Sequence, residues 1–219
     1  KILESNTSIN CKEEVIFQLG KENPENLVDF FPIISAATDV KMRQAFVRSL
    51  GKVSPEYKIF YEQFLSDSSY ITREIVFKNL WNTFPDDRTT LLNKTQDWQG
   101  FNDKNLRITW LTLALLTENY KDEFKINFYD ELFSYTKLGN ESATRQNAIT
   151  NMLFLNPNDF NVLESLALGL NHHKWQFVKF CKDTIRTQLK QEKYREHYSK
   201  ISEQLAGTEK ITLENLLKE

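Results

Sequence analysis

"YITREIVFKNLW" (residues 70–81) sets Arg73 ahead of a greasy, partly aromatic run. It is either the basic-plus-aromatic surface of a nucleic-acid binder or one tooth of a repeating structural comb. The rest of the chain decides between them. Aligned on a basic residue, four further segments match it: "RQAFVRSL" from Arg43, "RITWLTLA" from Arg107, "RQNAITNM" from Arg145 and "KWQFVKFC" from Lys174. Three positions after the cation stand Phe46, Val76, Trp110, Ala148 and Phe177. Four after it stand Val47, Phe77, Leu111, Ile149 and Val178, and seven after it Leu50, Leu80, Ala114, Met152 and Cys181. Offsets of three, four and seven share one face of an α-helix. The rows start 30, 34, 38 and 29 residues apart, a period that points to stacked helix pairs.

The prolines support the same phase. Pro24, Pro55, Pro85 and Pro157 fall between or before the rows, three of them after Asn23, Ser54 and Asn156, which are good caps. Proline at a first helical position gives up only an N–H that has no partner there anyway. Each unit therefore reads as a first helix opened by proline, a turn, and a second helix carrying the arginine row. The first helices are amphipathic, through Leu27, Phe31 and Ile34 in one unit and Phe160, Leu163, Ala167 and Leu170 in another. The fourth unit lacks the proline, but its stretch from about residue 118 sets Phe124, Phe128 and Leu132 four apart. This gives one all-α, HEAT-like helical-hairpin domain over 1–219, with about five to six helix pairs. Its repeats run roughly over 12–50, 54–82, 85–117, 119–154 and 157–190. Past 190, Tyr194, Tyr198, Ile201 and Leu205 make a further helix stopped at Gly207, and "ITLENLLKE" a last one, together a cap over 191–219. Four residues before the cations stand Asp39, Ser69, Asp103, Glu141 and, out of pattern, Leu170. An acid there complements the helix dipole and can pair with an arginine one turn on. On this reading the aromatics are core knobs, and Arg73 ties its helix to a neighbour's acid or carbonyl.

Composition agrees. Of 219 residues, 40 % are hydrophobic and 13 % aromatic, enough to fill a core, and six Gly and five Pro disfavour long loops. A net charge of −2 offers no global attraction for nucleic acid, which is not expected as a partner. Cys11 and Cys181, far apart in sequence, are expected as free core thiols. The longest apolar run, 108–116, is too short to span a bilayer. A chain opening on Lys1 rather than Met is expected to be part of a larger or processed product.

Motifs for chemistry are scarce. The sequence contains no H-E-x-x-H, phosphate loop, G-x-S-x-G or clustered Cys/His set. His172 and His173 are adjacent, so they cannot present two ligands from one helix face as an i, i+4 zinc pair does, and His197 stands apart. No catalytic, cofactor-binding or metal-ligating residue is singled out. One charge feature stands out: residues 171–200 hold eight basic and three acidic side chains. Lys179, Lys182, Arg186, Lys190 and Lys193 recur as a positive stripe, either a solvated face or a patch for an acidic partner, a peptide carboxylate or nucleic acid.

The units resemble HEAT-type repeats. Over roughly 40–205, "SYITREIVFKNLWNTFPDDR", "GFNDKNLRITWLTLAL" and "KWQFVKFCKDTIR" further resemble the C-terminal helical region of bacterial zinc aminopeptidases of the aminopeptidase N type. That resemblance implies a non-catalytic domain forming a concave wall over a catalytic cleft and limiting access to peptides. Its partners would be its own upstream catalytic domain and the peptide substrate. Zinc is expected in that upstream part, whose H-E-x-x-H and G-x-M-E-N motifs are absent here, so no cofactor is assigned to these residues and no catalytic role transfers. The competing expectation is a free-standing HEAT-like interaction scaffold.

Overall fold

Arg43, Arg73, Arg107 and Arg145 are each the fourth residue of an α-helix. The computed structural model describes residues 2–22, 24–50, 53–98 and 104–219, and no strand occurs among them. The chain is all-α. Its contacts gather into two compact units, 1–106 and 107–219.

The first unit runs α1 (Ile9–Glu22), a 3₁₀ segment (Pro24–Phe30), α2 (Phe31–Ser35), α3 (Val40–Ser49), α4 (Lys58–Gln63), α5 (Tyr70–Thr83) and α6 (Arg88–Thr95). It also holds the first turn of α7 (Lys104–Leu116). The second unit takes the remainder of α7 and then α8 (Lys125–Ser134), α9 (Ser142–Leu155), α10 (Phe160–Leu168), α11 (Trp175–Gln188), α12 (Glu192–Gln204) and α13 (Gly207–Lys218). Within each unit neighbouring helices pack, α4 on α5 and α5 on α6 in the first, α8 on α9 and α9 on α10 in the second, and so do alternate ones: α3 on α5, α9 on α11, α10 on α12. Contact between every second helix is the pattern of stacked helix pairs.

Of the residues three, four and seven beyond each cation, all are buried except Val178, which is half-buried. The arginines are structural ties. Arg43 donates from Nε to Asp67 Oδ2 at 2.6 Å, from Nη2 to Ser68 Oγ at 3.0 Å and from Nη1 to the Ala37 carbonyl. Arg107 makes a two-point pair with Glu131, both contacts at 2.7 Å. Arg73 lies 6.0 Å from the Trp98 ring. Arg145, 1 % exposed, donates to the Thr136 carbonyl at 2.8 Å and covers Phe177 at 4.7 Å. A guanidinium suits this work because its plane stacks while its rim donates.

Several expectations are corrected. Among the described residues, those four before the arginines do not pair with them: Asp39 caps α3 by accepting from Lys41 N, Ser69 caps α5 by accepting from Thr72 N, and Glu141 flanks α9 without a side-chain cap bond. Capping wins because the orphan N–H groups of a first turn lie nearer than the arginine head. Asp103 and Asn23 lie outside the described residues. Lys174 is not the fifth tie. It precedes α11, which starts one turn later than the comb implies, and its side chain is exposed. Pro55 and Pro85 open 3₁₀ turns that run into α4 and α6. Pro157 instead sits in a turn, and Asp159 caps α10. Leu27, Phe31 and Ile34 are buried, but on two pieces, since Pro32 cannot supply the N–H an unbroken α-helix needs. Phe124 precedes α8 and is exposed, leaving Leu132 as the fully buried member of its row. Gly207 does not stop the helix of Tyr194 and Tyr198, which ends at Gln204, but begins α13, and its φ of +66° makes the sharp entry that glycine tolerates.

Candidate binding groove on helix α11

α11 is amphipathic from its first turn. Phe177, Cys181 and Ile185, four apart, are buried, and Gly169 lets the preceding turn close on them. A Cβ at Gly169 would stand 2.5 Å from Cys181 Sγ and 3.0 Å from Phe177. The turn then carries His172 and His173, whose rings stack at 4.2 Å, with His172 edge-on to Phe177 at 5.0 Å. His172 Nδ1 accepts from the Lys174 N–H at 3.0 Å, which leaves Nε2 to carry the proton of the neutral ring. Burial, aided by neighbouring His173, Arg145 and Lys174, pushes the His172 pKa below its ordinary value.

On the opposite face of α11, Trp175 stands 68 % exposed beside Lys179, Lys182 and Arg186. With the histidine pair, Val178 and Asp183 these side chains line an open groove of about 490 Å³. Lys179 is paired with Asp183. Arg186 grips Glu219 at two points, 2.7 and 2.8 Å, and that contact holds the Glu219 carboxyl below the usual range. Lys182 makes no ion pair among the described residues.

The stripe read from sequence is therefore divided. Lys179, Lys182 and Arg186 share the groove, whereas Lys190 follows the end of α11 and Lys193 lies on α12 against Tyr194. His197 is also on α12, near Lys193 O, and does not join the histidine pair. Trp175 escaped the sequence reading, although its offset of one from Lys174 places it off the three-four-seven face, and that was the available signal. Glu219, distant in sequence, gave none. Among the described residues no group of three or more His, Cys, Asp or Glu could hold a metal ion, and no helix is long and apolar enough to cross a membrane.

Comparison with protein families, curated proteins and solved structures finds no match. What the groove can do must be argued from its own chemistry. It offers an indole, two imidazoles and cations but sets no nucleophile against a base, so it is suited to holding an anion beside an apolar group.

The thiols differ from expectation in one respect. Both are free, but Cys11 is exposed and only Cys181 is a core residue. Burial raises the Cys181 thiol pKa to about 12, so it stays protonated and unreactive. In native buffer a thiol reagent is expected to label Cys11 alone, with Cys181 reacting only after denaturation. Mass spectrometry of the labelled peptides checks this, and rapid native labelling of Cys181 would contradict the packing around Gly169.

Proposed function

We propose that this chain is the non-catalytic C-terminal helical domain of a zinc-dependent aminopeptidase, where it walls the catalytic cleft and limits access to peptides. The observation that carries the reading is the burial of the comb. In the segments that resemble that family, Phe77, Trp81, Arg107, Trp110 and Phe177 are spent on packing, which suits a wall better than a chemical centre. Zinc, in this reading, belongs to the upstream catalytic domain.

The test has two parts. The coding sequence upstream of Lys1 should contain H-E-x-x-H followed by a downstream Glu. The full-length product should cleave an aminoacyl-arylamide with zinc, while the 219-residue chain with zinc should not. An upstream sequence without the motif would leave the interaction scaffold as the reading. Zinc-dependent turnover by the isolated chain would defeat both.

A further inference from the structure

Charge along this chain is segregated. Residues 171–200 carry a net +5 while the whole chain carries −2, so the remainder holds −7. Such a division sets up a local field that the overall balance conceals. Within the basic segment, the α11 groove is where cations meet exposed aromatic surface: Lys182, in no ion pair among the described residues, Arg186, and Trp175 standing out. An exposed tryptophan is a poor use of so large an apolar side chain, and tryptophan and arginine are both enriched among the residues that anchor protein partners. The structure also contains an example of the anion this face accepts. Glu219, just past the end of α13, sits on Arg186 as a carboxylate held at both oxygens.

We propose that the α11 groove docks an acidic polypeptide segment, with carboxylates on Lys182 and Arg186 and an apolar side chain against Trp175. Polypeptide is favoured over nucleic acid because Asp183 and Glu219 lie among the cations. Two fixed carboxylates would repel a continuous run of phosphates, whereas a peptide can space its charges around them. Glu219 then competes with the incoming segment for Arg186. The proposal concerns this chain alone and holds whether or not a zinc domain precedes it.

The test is fluorescence anisotropy of a short labelled peptide of alternating Glu and Asp around a central Leu-Phe pair, titrated with the whole chain at low salt. Binding that weakens with salt and vanishes for the Gln/Asn version of the peptide is expected. Trp175→Ala and Lys182→Glu, both at exposed or half-buried sites, should each weaken binding roughly tenfold. Glu219→Gln should tighten it by releasing Arg186. Circular dichroism confirms that each variant is folded. No binding at low salt would overturn the proposal, as would tighter binding of single-stranded oligothymidylate, or an affinity indifferent to both Trp175→Ala and Lys182→Glu.

Discussion

Trp110→Ala is expected to destabilise the second unit by about 3–5 kcal/mol. Trp110 is 1 % exposed, the largest of the fully buried side chains. Its indole meets the Phe128 ring edge-on at 5.4 Å and the Tyr120 ring at 6.3 Å, and the Arg107 guanidinium covers it at 4.5 Å. Alanine removes the apolar contact and leaves a void that cannot readily collapse, because Arg107 is pinned to Glu131. The helix itself is not the casualty, since alanine is a better helix former than tryptophan. Urea denaturation followed by circular dichroism measures the loss. A value below about 1 kcal/mol, the size of an ordinary substitution, would mean that the arginine row does not organise the core.

Arg43→Ala is expected to cost a similar amount, about 3–5 kcal/mol, for an electrostatic reason. The side chains of Arg43 and Asp67 are 8 % and 4 % exposed, so removing the guanidinium strands a carboxylate that water hardly reaches. It also deprives the Ala37 carbonyl and Ser68 hydroxyl of a donor. Asp67 cannot swing out to recover hydration, being held by the Ser69 N–H at 2.7 Å. Replacing both partners with apolar residues, as in Arg43→Met with Asp67→Leu, should recover much of the loss, since the penalty lies in the orphaned charge more than in the bond. A double-mutant cycle in denaturant gives the coupling. Additive losses would show that the two groups do not act as a pair.

How much of this could be read in the residues follows from the range of each interaction. Helical burial is local and periodic, so Phe46, Phe77, Trp110, Ile149 and Phe177 disclosed themselves by spacing, and all five are buried. The partners of the arginines were not legible. Asp67 and Glu131 each lie 24 residues beyond their arginine, and nothing nearby distinguishes them from other acids. The closer candidates, Asp39 and Glu141, looked better because a sequence displays proximity along the chain and not in space. Lys174 misled by matching the apolar offsets while α11 began a turn later. The groove was half legible. Its cations formed a visible stripe, but the bend after Gln188 and the return of Glu219 to Arg186 are tertiary facts.

The forward reach of the arginines bears on how the polypeptide can be made and cut. Arg43 and Arg107 each wait for a carboxylate that leaves the ribosome two dozen residues later. Each helix thus emerges with its cation unmatched and settles only once the following segment arrives. A nascent or truncated product ending between Arg43 and Asp67, or between Arg107 and Glu131, carries a cation built for burial with no counterion. Expression boundaries placed after Asp67 or after Glu131 avoid that defect, whereas cuts a few residues earlier build it in.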